Sequence, residues 1–508
     1  MALTLEILQN LVFGFGHALS AANLAYCLFG VTLGTFVGVL PGIGPLAAIS
    51  MILPVTFGLD PLGSLIMLAG IYYGAQFGSS VTSILLNMPG HAASAIVCLD
   101  GYPMGQQGRA AVALVTSAVA SFIGGSFSVI LVMSFAPPLA RFALRFGPAE
   151  YFSIMILGLV AAAILAHGSF LRSIGMVLLG LAFGLVGTDV NTGMQRLTFG
   201  SWALSDGISF VIVAMAFFAI SEIVVNLETQ TPRQALNPNL HWRELIPSWR
   251  DFRASIAAIV RGAFVGAFFG ALPGTGPTIS SFISYAVEKR VAKDPSRFGN
   301  GAIEGVAGPE SANNAASIAG FIPTLTLGVP GDAIMALMLG ALMIYGITPG
   351  PRVIVDNPAL FWGLVASMWI GNVALLVLNI PLVGIWVKVL KIPFHLLYPP
   401  ILLFICIGVF STNSSTFDIL ILTVFGVVGY LLVKLGCPPA PMLLGLILGP
   451  LIEENLRRAL IISRGDPSVF VTHPISLAFL VVAGTLLVGM VVGAVRGPFA
   501  ERKLENID

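Results

Sequence analysis

Charge is what this sequence lacks. Of its 508 residues only 9% are Asp, Glu, Lys or Arg, against roughly 25% in an ordinary soluble domain. With 57% hydrophobic residues and a mean hydropathy of +0.96, too few polar side chains remain to cover a water-facing surface. A soluble globular enzyme and a disordered chain are excluded on that ground. The net charge of +1 lacks the basic excess of a nucleic-acid binder. Cysteine is scarce too. Cys27, Cys98, Cys406 and Cys437 lie in or beside apolar runs without a CxxC pair, so neither a disulfide framework nor a zinc site is expected. No HExxH, Walker A, GxSxG or paired-aspartate motif occurs. No basic n-region precedes the first apolar stretch, so the first span is expected to stay in the mature chain.

Long uncharged runs are what the sequence has. They lie, among others, between Glu6 and Asp60, Arg109 and Arg141, Asp356 and Lys388, and Asp466 and Arg496. A crossing helix needs about 20 apolar residues, and several runs hold two. They predict an all-α polytopic membrane protein with roughly 12 transmembrane helices plus re-entrant or broken-helix hairpins. A β-barrel would alternate in polarity, and these runs do not.

One polar stretch interrupts the pattern. Residues 229–253 carry Arg233, Arg243, Arg250 and Arg253 with Trp242 and Trp249. The positive-inside rule places such a loop in the cytoplasm, with the tryptophans at headgroup level; an ordinary hydrophilic connection reads the same. It separates a first membrane half, 1–228, from a second, 254–508. A repeat supports that division. GTFVGVLPGIGP from Gly34 and GAFFGALPGTGP from Gly266 share GxFxGxLPGxGP, offset by 232 residues. More loosely, Asn87-Met88-Pro89-Gly90-His91 pairs with Gly328-Val329-Pro330-Gly331-Asp332. The GxxxG elements Gly34/Gly38 and Gly266/Gly270 read as helix-packing faces.

Pro-Gly-x-Gly-Pro inside an apolar run breaks a helix, because proline lacks an amide hydrogen and glycine opens other conformations. Lipid cannot satisfy the exposed backbone groups, so the break must be buried in protein or line a watery cavity. Paired breaks in two halves point to a transporter's central site, where helix N-termini face an anion and unwound carbonyls hold sodium. Basic residues flank the second motif at Arg253, Arg261, Lys289 and Arg290, so Arg261 to Glu288 is expected to enter and return as a hairpin; one long kinked span is the competing reading. Asn313 and Asn314 offer ligands for sodium or a carboxylate, or act as helix caps. Tyr72, Tyr73, Gln76, Ser79, Ser80, Thr82, Ser83 and Asn87 hold the comparable place in the first half, where small residues also serve close packing. Glu310 is expected at headgroup level, since 299–308 reads as a loop, and Asp100–Pro103 as a turn with Arg109 a boundary charge. His91 and Asp332 follow matching PG pairs without matching each other, and their roles stay open.

These residues resemble the large membrane subunit of bacterial tripartite tricarboxylate transporters, the TctA-type family. The resemblance rests on LPGIGP, YYGAQFGSSVTSILLNMPG, LDGYPMGQQGRA, LPGTGP and GPESANNAAS leading to LTLGVPG. It implies a secondary transporter in the cytoplasmic (inner) membrane, working with a small membrane subunit and an extracytoplasmic solute-binding protein. Import of a carboxylate such as citrate, driven by a cation gradient (sodium), is implied as well, with no other cofactor. Carried over by position, the site candidates are Gly42, Gly44, Asn87, Pro89, Gly90, Gly274, Gly276, Asn313, Asn314, Pro330 and Gly331. A sodium site is placed near Asn313 and Asn314. The alternatives are a membrane-embedded enzyme, for which no converging catalytic set is visible, and a passive channel for small anions.

Overall fold

The computed structural model describes residues 2–40, 44–166, 169–189, 192–228, 247–274, 276–390 and 394–504. Gly42 and residues 229–246 of the basic stretch lie outside them. Trp249 to Arg253, assigned above to that stretch, form the first turn of a helix, Trp249–Gly270. The described chain is helical apart from short connections and one two-stranded ribbon, Gly187–Thr188 with Gln195–Arg196. Six helices are long and apolar enough to cross a membrane by themselves, and six apolar helices of 10–17 residues accompany them.

Both PGxGP motifs break helices. Ala21–Val39 and Pro45–Thr56 form a first hairpin; Trp249–Gly270 and Gly276–Val291 form a second. At the second break Gly274 and Gly276 take φ of +83° and +59°, a backbone region that side chains disfavour. Arg261 of one arm binds Glu288 of the other through two hydrogen bonds, 2.8 and 2.5 Å. The entering-and-returning hairpin is therefore what forms.

A central helix follows each hairpin, Pro61–Leu86 and Glu304–Ala319. Glycine at every fourth position brings hairpin and central helix into backbone contact. A Cβ on Gly30, Gly34 or Gly38 would stand 2.4, 2.3 or 2.4 Å from the carbonyl oxygens of Met67, Ile71 and Ala75. On Gly262, Gly266 or Gly270 it would stand 2.2, 2.2 or 2.5 Å from those of Gly308, Ala312 and Ala316. In both pairs the contacts ascend together, so the packed helices are parallel. The two pairs themselves run in opposite directions. Pro61–Leu86 starts where Ser64 Oγ meets Tyr345 Oη (2.5 Å), whereas Glu304–Ala319 starts where Gly305 abuts the Asp100 carboxylate.

The central helices are shielded from lipid. Leu62 to Leu86 and Gly305 to Ala319 are buried without exception. Shielding is what permits their polar content, since an unpaired polar group in hydrocarbon costs several kcal/mol. It also corrects two expectations. Glu310 is not at headgroup level: it is 0% exposed, because 304–308 is helical and continues the central helix inward. Asp100 is not in a turn: it is buried in helix Cys98–Met104, where Oδ1 accepts N–H bonds from Gly299, Gly301 and Ala302 (2.9, 2.9 and 2.8 Å) and Oδ2 accepts the Tyr285 hydroxyl (2.9 Å). Arg109 pairs with Asp251 at 2.7 Å.

A second group of helices packs beside the hairpins. Pro148–Leu165, Phe170–Gly184, Phe210–Glu228, Thr416–Lys434 and Pro439–Ile462 contact one another, with Gly180 against the Met442 carbonyl and Gly445 against that of Val177. Pro358–Asn379 packs on Pro61–Leu86 and on Ala110–Ala143, so it sides with the hairpins.

Candidate functional site

The breaks meet at a cavity of about 570 Å³. The hairpin side contributes Gly44–Leu46, Tyr72, Gln76, His91–Ala93, Gly274, Gly276–Ile279 and Asp332–Ile334; the second group contributes Ala162, Ala166, Phe218, Glu222 and residues 436–441. Gly274 N–H donates to the Gly331 carbonyl at 2.9 Å, tying the second tip to the loop between helices Phe321–Leu327 and Ala333–Ile344. The Tyr72 hydroxyl donates to Asp332 Oδ2 at 2.6 Å, while Oδ1 caps Ala333–Ile344 by accepting Met335 N–H at 2.8 Å. A Cβ on Gly276 would stand 3.2 Å from Asp332 Cβ, and one on Gly44 3.8 Å from both Glu222 carboxylate oxygens.

Two polar atoms of the lining have no partner. His91 Nδ1 accepts Ala93 N–H at 3.1 Å, which places the hydrogen of the neutral ring on Nε2, and Nε2 is unpaired. Gln76 Oε1 is buried and unpaired as well. A polar atom left so in a packed site is a place where a ligand atom gains a hydrogen bond.

The charge pattern is unusual for a site expected to take an anion. Among the described lining residues there is no Lys or Arg, and there are two acids, Glu222 and Asp332. Positive potential comes from backbone instead. Four α-helices begin at the cavity: Pro45–Thr56, Gly276–Val291, Ala333–Ile344 and Pro439–Ile462. Each N-terminus presents N–H groups without intrahelical partners and a partial positive charge. Asp332 caps one of the four; Gly44 and Pro438, ahead of the first and last, supply no side-chain cap. The Arg172 guanidinium packs on Gly436 at the rim.

Behind the cavity lies a second polar cluster. Ser80 and Ser121 hydroxyls donate to Glu310 Oε1 and Oε2 at 2.7 and 3.1 Å, bridging both central helices and Ala110–Ala143. Asn314 Nδ2 donates to the Glu310 carbonyl at 3.2 Å, while both side-chain polar atoms of Asn313 are buried and unpaired. Neither asparagine caps a helix; both sit inside one.

Of the residues singled out from sequence, Gly44, Gly274 and Gly276 line the cavity, and Gly331 is bonded to its edge. Pro330 is buried beside Gly331. Asn87 ends Pro61–Leu86 at φ +53° and is exposed, as is Pro89; neither lines the cavity. Gly90 packs on the Gly38 carbonyl, where a Cβ would stand at 2.7 Å. Asn313 and Asn314 belong to the cluster behind. Sequence reasoning missed Glu222 and residues 436–441, a turn and the start of Pro439–Ile462. Their traces were an acid closing the uncharged run from Asp206, and the Pro-Pro-Ala-Pro that begins at Pro438. A larger cavity of about 760 Å³ touches neither hairpin tip.

Comparison with known proteins gives one family. A family model described as the tripartite tricarboxylate transporter TctA family matches residues 24–444. An uncharacterized 52.8 kDa protein in the TAR-I ttuC′ 3′ region of Agrobacterium vitis is 51% identical over 478 residues, covering 94% of this chain and 95% of its own. An uncharacterized protein in the TAR-II ttuC′ 3′ region of the same organism is 58% identical over 205 residues, covering 40% of this chain and 85% of its own. No solved structure matches.

Proposed function

Because the chain belongs to the tripartite tricarboxylate transporter TctA family, we propose that it is the subunit through which a small carboxylate enters the cell, coupled to a cation. Sodium is the coupling ion of this reading, a small membrane subunit and an extracytoplasmic solute-binding protein are its partners, and the cytoplasmic membrane is its place. The observation that carries it is the convergence of four helix N-termini on a cavity with no Lys or Arg among its described lining residues. Unpaired N–H groups at helix ends bind carboxylates without a fixed counter-charge. The His91 Nε2–H adds a neutral donor.

Two acids in an anion site make sense if a cation arrives with the substrate. Glu222 and Asp332 oppose a lone carboxylate, and a sodium ion or proton beside them reverses that repulsion. Backbone carbonyls at the second break, and Asn313 behind them, are the further oxygen ligands of this reading. The glycine contacts repeated at the same spacing in both hairpins support two related halves. The end holding Arg109, Arg250, Arg253, Arg261, Lys289 and Arg290 is assigned to the cytoplasm by the positive-inside rule. Pro148–Leu165 starts near the end of Ala110–Ala143 that is remote from Arg109 and runs from the larger cavity, at Tyr151 and Met155, to this one, at Ala162 and Ala166, so in this reading the 570 Å³ cavity faces inward.

The test is uptake of labelled carboxylates into proteoliposomes holding this chain and its small partner, with the binding protein outside, with and without an inward sodium gradient. Uptake that needs both supports the full reading. Uptake with sodium alone removes the binding protein from it. Flux without cation coupling turns it into a channel. Turnover of substrate by the isolated chain would make it an enzyme.

A further inference from the structure

The larger cavity, about 760 Å³, lies at the opposite end of the same seam. Pro148–Leu165 passes both cavities: Tyr151 and Met155 line the larger, Ala162 the smaller. The 328–332 loop does the same, with Gly328 on one side and Asp332 on the other. Between them sits Val329, 0% exposed, pressed on Gly158, where a Cβ would stand 2.8 Å from Val329 Cγ1. Gly274 rests on Ala161 and Ala162 one turn further along. Between the cavities, then, Val329 and the Gly274 tip rest on a face of small residues, Gly158, Ala161 and Ala162, which lets the backbones approach closely.

The charged groups of this cavity are Arg352, Arg458 and Glu454. Arg458 pairs with Glu454 at 2.5 Å. Arg352 is exposed and, among the described residues, makes no ion pair. An uncompensated guanidinium in a concave space concentrates anions and can hold a carboxylate through two parallel N–H···O bonds. Thr348 and Asn455 supply neutral donors beside it.

We propose that this cavity is an outer vestibule in which Arg352 binds a carboxylate group of the substrate before it passes the Val329–Gly158 seal. The inference rests on the transport reading above and adds to it a second anion site, built on a side chain where the inner site is built on backbone. Substrate is held first by a strong, salt-sensitive charge at the surface and then by helix ends in the interior.

The experiment uses vesicles carrying the whole transport complex, with citrate, malate and acetate as tri-, di- and monocarboxylate probes. Cys406→Ser removes one half-exposed thiol; Cys437, which lines the inward cavity, stays. Cys27 and Cys98 are buried, and labelling is counted against the same chain with native Thr348. Thr348→Cys is then labelled with a membrane-impermeant maleimide from either side. Labelling from outside is expected, slowed about threefold or more by whichever probe is taken up, with the protection lost in Arg352→Ala and partly kept in Arg352→Lys. In the otherwise native chain Arg352→Ala should raise the KM of uptake roughly tenfold while leaving the maximal rate within about twofold, since it removes one charged carboxylate contact. Labelling from the inside only, or outside labelling that a transported probe leaves unchanged, overturns the vestibule while uptake continues. An unchanged KM in Arg352→Ala does the same. Uptake of none of the probes by correctly inserted complex overturns both readings.

Discussion

Gly274→Ala is the perturbation whose consequence can be worked furthest. Gly274 has φ +83°, donates its N–H to Gly331 at 2.9 Å, and would place a Cβ 2.8 Å from Ala162 N and 2.9 Å from Ala161 C. The left-handed backbone alone costs alanine about 1–2 kcal/mol. The collision is with backbone, which cannot rotate away, and adds about 1–3 kcal/mol by analogy with overpacked cores. The first cost belongs to the tip in every arrangement. The second exists only while the tip rests on Pro148–Leu165. If transport moves the tip along that helix, the collision biases the balance of arrangements by roughly 5- to 150-fold away from the inward-open one. Cys437 lines the inward cavity and reports on it. Its maleimide labelling in inside-out vesicles should slow by about fivefold or more in Gly274→Ala, with uptake falling alongside. Gly465→Ala is the control, with φ +86° and open space around its Cβ, so it carries the backbone cost without a collision. Equal Cys437 labelling and equal uptake in the two variants would refute the reasoning, because the contact would then not be specific to one arrangement.

Asp100→Ala removes the acceptor of three backbone N–H groups and the Tyr285 hydroxyl, so a loss of about 3–6 kcal/mol is expected as a lowered unfolding midpoint in detergent, with Asp100→Asn recovering most of it. A midpoint unchanged in Asp100→Ala would show that the 299–302 loop does not depend on this anchor. Glu310→Ala leaves the Ser121 hydroxyl unpaired and the Ser80 hydroxyl with only the Gln76 carbonyl at 3.5 Å, and should destabilise by about 1–3 kcal/mol, whereas Glu310→Gln keeps an acceptor and should fold. If Glu310→Gln folds and transports with unaltered cation dependence, the cluster is structural and takes no part in coupling. His91→Asn preserves the acceptor that caps the following turn and deletes the Nε2–H. It should weaken substrate binding roughly tenfold, read as KM, with thermal stability unchanged. An unchanged KM would remove His91 from the substrate's contacts.

What could be read in the sequence was whatever leaves a local mark. The breaks at LPGIGP and LPGTGP announced themselves because proline and glycine act on their own backbone, and the GxxxG stripes because close helix packing needs a bare face at every fourth residue. Depth was less legible. Residues 299–308 read as a loop and so put Glu310 at a headgroup, yet a helix shielded on all sides tolerates the glycines of 304–308, and shielding is a tertiary property. The same holds for Asn313 and Asn314, which read in sequence equally as ligands for sodium or a carboxylate and as helix caps, and whose place is mid-helix. Glu222 was invisible as a site residue since it reaches Gly44 across 178 residues from another group of helices. Asp100 looked like a turn because DGYP has turn chemistry; its three backbone donors come from a loop about 200 residues away.

The bridge from Ser80 to Glu310 also sets a schedule for making the protein. The two residues are 230 positions apart. At synthesis rates of about 5–20 residues per second, roughly 10–50 s pass between them. During that interval Pro61–Leu86 can pack on its own hairpin, whose glycines precede it by 37 positions. Its face bearing Tyr72 and Ser80 still waits for Asp332 and Glu310, which have not been made. A half-finished chain thus holds a polar helix in the bilayer with its partners absent. Membrane insertion of this protein has to include a step, intrinsic or assisted, that keeps that face from lipid until the second half arrives.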